Sequence, residues 1–384
     1  MEFMLDEALE ESVRDFDGFL QARLVPHLSG WYQEGSIPRE FFRELGAGGW
    51  LGMDRSGKGC REQSAIKQAV LMEHLARISP GVGVAVAVQV SLGTKGLVLH
   101  GSERQKEALL DAAARGEILI CLGNTEPTAG SDVANVAATA EKVEGGWVIS
   151  GTKAYVTNGT LSDLALVTAI SDPDAPRNRR LSMFIVDLAS EGVSRTKLHK
   201  EVWIPSDLTR IRLKNVFVPD EHLLGVRGRG LQQVLNIFTH SRLAIAALTL
   251  GTAAGALEMG IDRAGKREIF GRKLRDFQAK SFEIADLFTR IEAARLMVWK
   301  ACCLKDCGMD FRQAASMAKY LAVEAARQAG TWAADLFGAA SVMFEHPVHK
   351  FPLDAWASSL GEGTQDVQKL IIFREIMKQR GIVE

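Results

Sequence analysis

A glutamate stands between two glycines in Gly361-Glu362-Gly363-Thr364, just ahead of a helical run from Asp366 to Met377. A carboxylate in a dry pocket has its pKa raised toward neutrality, and from there it can accept a proton from carbon. Three other segments belong with it. They are Asn124-Thr125-Glu126-Pro127-Thr128-Ala129-Gly130-Ser131-Asp132, Gly151-Thr152-Lys153-Ala154-Tyr155-Val156-Thr157-Asn158-Gly159, and Arg267-Glu268-Ile269-Phe270-Gly271 followed by Gln278. Singly, each has an ordinary explanation. The first two read as turns flanking strands, the third as an amphipathic surface, and the glutamate as a solvated loop residue.

The elements that would position these segments fall into three blocks. Residues 1–117 read as helices, with Leu5 to Leu24, a start at Ile37-Pro38-Arg39-Glu40, and a run from Gln63 to Leu75. A further helix opens at the Ser102 N-cap and closes near Gly116. Residues 118–226 are rich in Val, Ile, Thr and Gly. Lys142 to Ile149 reads as two strands about a Gly-Gly turn, Ser182–Leu188 and Arg210–Val218 as strands, and Ser171–Arg180 as a loop. Residues 227–384 return to helix. Ile284, Leu287, Phe288, Ile291, Ala294 and Val298 are spaced as one apolar face, and Gly251 and Gly255 would let another helix approach closely.

Composition sets outer bounds. The chain has 384 residues, with 46 Lys plus Arg against 47 Asp plus Glu, so charge offers no case for nucleic acid or an anionic membrane. Five cysteines, an odd number without Cys-x-x-Cys, point to a reducing, cytoplasmic setting and away from disulfides or a zinc site; no metal is expected. Met1-Glu2-Phe3-Met4-Leu5-Asp6-Glu7 lacks the basic region of a signal peptide. Val82–Leu99 and Leu243–Met259 are broken by Gly93, Lys95, Gly96 and Glu258, and read as buried helices rather than membrane spans.

The four segments taken together, in this order, resemble the acyl-CoA dehydrogenase family: Thr-Glu-Pro-x-Ala-Gly-Ser-Asp, Gly-x-Lys-x-aromatic-x-Thr-Asn-Gly, Arg-x-x-Phe-Gly and Glu-Gly-Thr. The resemblance covers nearly the whole chain. It implies an α+β, mainly α fold, with an N-terminal helical domain, a central β-barrel-like domain and a C-terminal four-helix bundle. It also implies FAD as cofactor, a tetramer, and an electron-transfer flavoprotein as electron acceptor. By motif position, Leu122, Asn124, Thr125, Gly130, Ser131, Tyr155, Val156 and Thr157 would line the flavin and pyrophosphate. Arg267, Phe270 and Gln278 would reach the FAD of a neighbouring subunit, and Thr364 would close over the cofactor. Ser131 and Arg242 would stand where the acyl thioester enters, and Glu362 would be the base. Some members carry the base one residue before the arginine; here that residue is Ser241, which leaves Glu362.

The implied reaction is α,β-dehydrogenation of an acyl-CoA to the 2,3-enoyl thioester. A carboxylate takes the α-proton and the flavin the β-hydride. The Glu362 N–H would stabilise the developing enolate. Two other readings stand beside it: an acyl group carried on an acyl carrier protein, and a partner subunit of a heteromeric flavoprotein. The chain departs from the family pattern at the adenosine end of FAD. There Asp335-Leu336-Phe337-Gly338-Ala339-Ala340-Ser341 replaces Gln-x-x-Gly-Gly-x-Gly, and Asp366 replaces a Gln. These changes predict repulsion from two acids and a misfit at Ala339 if that residue must be left-handed. Gly361 replaces a frequent Tyr, leaving space for a bulky or cyclic acyl group. Lys197-Leu198-His199-Lys200-Glu201-Val202-Trp203 replaces Lys-Leu-Gly-x-Arg-Gly-Ser.

Overall fold

A computed structural model describes residues 6–54 and 60–382; the N-terminal stretch Met1 to Leu5 read above lies outside them. Helices α1 (Glu7–Phe19), α2 (Leu28–Glu34), α3 (Arg39–Ala47), α4 (Ala65–Ile78), α5 (Pro80–Val88), α6 (Lys95–His100) and α7 (Glu103–Ala114) precede the main sheet, with short strands β1 (Met53–Asp54) and β2 (Arg61–Glu62) between α3 and α4. Their starts are chemically marked. Ser102 and Gln105 form a capping box, Ser64 caps α4, and Ser79 caps α5 with Pro80 in its first turn. Pro38 is itself the extended cap of α3, one residue outside the helix. Gly116, at φ +68, follows the end of α7.

The sheet is built from β3 (Ile120–Gly123), β4 (Thr139–Val143), β5 (Gly146–Thr157), β6 (Leu164–Ile170), β7 (Leu181–Asp187), β8 (Val193–Lys197), β9 (Leu208–Pro219) and β10 (Leu223–Leu224). Its order is β10-β7-β6-β4-β5-β9-β8, with β3 parallel to β6. The two residues Glu144-Gly145 join β4 to β5, and Gly145 at φ +71 supplies the left-handed turn. After the sheet come α8 (Gly230–Lys266), the hairpin β11 (Glu268–Ile269) and β12 (Arg272–Lys273), and then α9 (Gln278–Asp306), α10 (Arg312–Phe337), α11 (Lys350–Ser358) and α12 (Gln365–Gln379).

Two cores hold these parts. One joins the helices, from Phe16, Phe42 and Leu75 to Leu248, Ile291, Ala322 and Phe351; the other fills the sheet and takes in Val234 and Ile237 from the start of α8. Gly251 and Gly255 serve as expected. A Cβ there would lie 2.2 Å from the Glu73 carbonyl oxygen and 2.1 Å from that of Arg77, so α8 presses directly on α4. On α9, Leu287, Ile291, Ala294 and Val298 face the core, but Phe288 is 55% exposed and leaves the predicted face. Pro80–His100 and Gly230–Lys266 are long and apolar enough to cross a membrane by composition, yet 89% and 78% of their most apolar windows are buried in the fold.

Candidate active site

The first two motifs meet through a buried ion pair. Lys153 on β5 donates from Nζ to Glu126 Oε1 at 2.7 Å, and neither side chain is more than 4% exposed. The Glu126 carboxylate also accepts from the N–H groups of Ala137 (2.7 Å) and Ala138 (3.0 Å). Ala154 N–H donates to Thr125 O at 2.9 Å, and Thr168 Oγ1 to Asn124 Oδ1 at 2.8 Å. Burial pushes Lys153 down to about 8, against the pull of Glu126. These contacts fix the 124–132 loop against β5. Glu126 and Lys153 are therefore structural members of their motifs, as are the buried Asn124, Ala129, Ala154 and Asn158. Lys153→Met should destabilise the fold by about 3–5 kcal/mol, since it leaves a buried carboxylate unpaired, and thermal melting measures it. Glu126→Gln, which keeps an acceptor, should cost less.

The pairing of β5 with β9 shifts register between Lys153 and Val156. Tyr155 sits in that bulge at φ +57 and is 63% exposed. A left-handed aromatic residue is an outlier, and bulges re-aim side chains near functional sites. Thr157 and Thr125 are half-buried, and Gly130 and Ser131 are exposed; a Cβ on Gly130 would meet nothing. Val156 is different. Its side chain is buried in the sheet core, so only its main chain can face a ligand; Leu122 is half-buried against the same core.

The second half of the site lies on the helices. Glu362 follows α11 at φ +48, another left-handed non-glycine residue. Lys319 on α10, buried, donates from Nζ to the carbonyls of both flanking residues, Gly361 and Gly363. Gln368 Nε2 donates to Glu362 O at 3.1 Å and Gly363 O at 2.8 Å. Gly363, at φ +95, packs against Gln368 and Val367, whereas a Cβ on Gly361 would meet open space. Of the two flanking glycines only Gly363 has a positive φ, and Glu362 itself takes the strain. Thr364 caps α12 by accepting from Val367 N–H at 3.4 Å.

The Glu362 carboxylate is half-buried and accepts no hydrogen bond from the described residues, and its own N–H is likewise unengaged. Burial raises its pKa, while Lys319 and Arg242 pull it back. Arg242 is buried on α8 and is itself lowered to about 10 by burial. Its Nη1 donates to Thr239 Oγ1 at 3.3 Å, and its Nε has no partner among the described residues. Ser241 turns its hydroxyl back to Phe238 O at 3.3 Å and is fully buried. The result is a desolvated carboxylate with free oxygens, beside two cations and a free N–H.

Arg267, Phe270 and Gln278 do not join this cluster. Arg267 lies 25 residues beyond Arg242 along α8, roughly 37 Å at 1.5 Å per residue. Phe270 and Gly271 form the left-handed turn of the β11–β12 hairpin, and Phe270 is 93% exposed. The Arg267 side chain is exposed and has no acidic partner among the described residues.

The left-handed position is Gly338 (φ +57), the one glycine kept in place, and Ala339 follows in a short 3-10 turn. Asp366 lies in the first turn of α12, where a helix favours an acid, and reaches Lys369 at 3.5 Å. Asp335 stays exposed and without an ion pair among the described residues. Free hydroxyls, an outward aromatic ring, open space at Gly130 and unpaired arginines form a donor set that fits FAD. Lys319 and Gln368 were not foreseen. A signal existed for the first, since Lys319 shares a helical stripe with the fully buried Ala315 and Ala322.

Comparison with known proteins agrees with this geometry. Family models described as the N-terminal, middle and C-terminal domains of acyl-CoA dehydrogenase match residues 6–117, 121–216 and 228–377. The chain is 32% identical over 377 residues to a probable acyl-CoA dehydrogenase, YngJ, of Bacillus subtilis, covering 97% of this chain and 98% of that one. It is 32% identical over 352 residues to the caffeyl-CoA reductase-Etf complex subunit CarC of Acetobacterium woodii, covering 90% and 92%. A glutaryl-CoA dehydrogenase from Mycobacterium smegmatis, solved in complex with FADH2, superposes with a TM-score of 0.91 at 26% identity, over 97% and 95% of the two chains.

Proposed function

This chain belongs to the acyl-CoA dehydrogenase family, and from that premise we propose that it converts an acyl-CoA to the 2,3-enoyl thioester with Glu362 as base. It is an oxidoreductase of CH–CH bonds and takes FAD as its cofactor. The observation that carries the choice of base is the Glu362 carboxylate: desolvated, raised in pKa and free of hydrogen bonds. Such a group is ready to take an α-proton. The unengaged Glu362 N–H would donate to the thioester oxygen as negative charge develops there. Arg242 pulls the Glu362 pKa back against burial, and with Ser131 it is assigned to the substrate side. FAD, when bound, supplies the acceptor for the β-hydride. Leu122, Asn124, Thr125, Gly130, Ser131, Tyr155, the Val156 main chain, Thr157 and Thr364 hold it.

Arg267, Phe270 and Gln278 are assigned to the cofactor of a second subunit. The separation along α8 and the bare Phe270 ring support this. The expected assembly is a homotetramer. Electrons pass to an electron-transfer flavoprotein, a reading supported by the Etf-complex name of the Acetobacterium relative. The five free thiols agree with a cytoplasmic setting. The open space at Gly361 favours a bulky or cyclic acyl group.

The test is anaerobic bleaching of the FAD-loaded protein by straight, branched, cyclic, aromatic and dicarboxylic acyl-CoAs. At least one should bleach the flavin, with branched or cyclic members fastest. Transfer to an added electron-transfer flavoprotein should outpace transfer to oxygen. Bleaching by carrier-bound thioesters alone would move the reading to an acyl-carrier substrate. A colourless monomer that turns yellow only with a second, different chain would move it to a heteromer.

A further inference from the structure

The loop that departs from the family pattern after β8 docks on the helix that leads to the base. Asp354, in α11, is 2% exposed and accepts from Trp203 N–H at 2.6 Å. Trp203 is left-handed at φ +49, strain that an aromatic residue keeps only when its surroundings hold it. Lys200 gathers the loop: its ammonium donates to Val202 O at 2.8 Å, to Trp203 O, and to Ser206 Oγ at 3.2 Å. The N-terminal domain reaches the same point. Lys350, one turn before Asp354, donates to Ile78 O at 3.0 Å and lies 5.5 Å over the Tyr32 ring.

Two chain directions leave this junction. Downstream of Asp354, Ser358 Oγ donates to the Asp354 carbonyl at 3.0 Å, α11 ends, and Glu362 follows four residues later. Downstream of Ser206, the chain enters β9, where Leu208 pairs with Thr157 and Thr209 with Val156. Asp207 accepts from Thr160 N–H at 2.7 Å, just past Thr157. One side chain thus joins the base loop to the end of β5 that carries Thr157.

We propose that Asp354 is a positioning residue that holds the Glu362 loop in register with the Thr157 end of β5, acting through the 198–206 loop. Packing alone does not call for a carboxylate here. Its second oxygen has no partner among the described residues, and burial pushes Asp354 up to about 7, against the pull of the Trp203 N–H, Lys350 and Lys200. A group kept in place at that cost specifies geometry. Proton abstraction by Glu362 is productive only when the substrate's β-carbon also meets the cofactor held at Thr157, so a small slip between the two lowers turnover more than binding. This last step rests on the dehydrogenase reading; the junction itself does not.

The test compares wild type, Asp354→Ala and Asp354→Asn as FAD-loaded proteins. Amide hydrogen exchange should rise about tenfold or more in both 199–206 and 359–364 in Asp354→Ala, the scale of one lost buried hydrogen bond. Strands β6 and β7 should keep wild-type protection. Asp354→Asn, whose carbonyl still accepts from Trp203, should show a smaller, parallel rise, and it carries the test alone if the alanine variant does not fold. With the acyl-CoA that bleaches wild type fastest, kcat should fall about 10²-fold and KM change less than about threefold, as for a misplacement that spares binding. Unchanged exchange at 359–364 overturns the proposal. So does a uniform rise that includes β6 and β7, because that marks general destabilisation. If no acyl-CoA bleaches wild type, the dehydrogenase reading falls, while the exchange result still decides the junction.

Discussion

Glu362→Gln is expected to leave FAD bound and the fold intact while acyl-CoA-dependent bleaching falls by about 10²–10⁴-fold, the usual contribution of a positioned general base. The amide matches the carboxylate in size and keeps the left-handed backbone that Lys319 and Gln368 hold from outside the side chain. The cofactor contacts assigned to Thr125, Tyr155 and Thr157 are untouched, so flavin content measured by absorbance should equal wild type. What is lost is the proton acceptor. Ser241 cannot replace it, since its hydroxyl is buried and turned to Phe238 O.

The wild-type pH profile gives an independent reading of the same residue. Burial raises the Glu362 pKa, and the base works only when ionised. Bleaching should therefore increase as pH rises through a midpoint above the ordinary carboxylate range. That rising limb should vanish in Glu362→Gln. Activity within about tenfold of wild type, with the limb intact, would move the base elsewhere.

Much of the fold was legible because its signals are local. The Ser102 cap, the Gly145 turn and the strand runs at 182–188 and 210–218 each depend on neighbours a few residues away. Gly251 and Gly255 could be read as a close helix contact, though not as a contact with α4 in particular. Phe288 failed because periodicity tells which residues share a face and not how wide the buried stripe is. At the site, residue types and order were legible through the family pattern, whereas their strain was not. The bulge at Tyr155 exists only in the register between β5 and β9. The Glu126–Lys153 pair spans 27 residues, and Lys319 reaches a loop more than 40 residues away. Such pairs are products of tertiary packing. Which residue of 338–341 turns left-handed was equally illegible, since it is set by where α10 ends, and it falls on Gly338 rather than Ala339.

Lys319→Met should then be the most damaging change outside the carboxylate itself. The ammonium holds the carbonyls on both sides of Glu362, and both would be left without that donor in a buried setting, at about 1–3 kcal/mol each. Gln368 still reaches Gly363 O and Glu362 O, but nothing replaces the bond to Gly361 O. The left-handed Glu362, itself about 1–3 kcal/mol uphill, then loses part of what enforces it, and the loop can relax toward ordinary backbone angles. The base would shift by enough to lower turnover about 10²-fold. Charge adds a second, separable effect. Lys319 favours the ionised form of Glu362, so its removal leaves burial less opposed and raises the Glu362 pKa further. The rising limb of the pH profile should move to higher pH in Lys319→Met, whereas a change that only loosened the fold would lower the rate at every pH and leave the limb in place. Lys319→Arg keeps the charge but must fit a longer planar group into a fully buried site. It should hold the limb near its wild-type position and still lose rate. A Lys319→Met protein with wild-type turnover and an unmoved limb would show that the carbonyl clamp and the nearby charge do not govern the base.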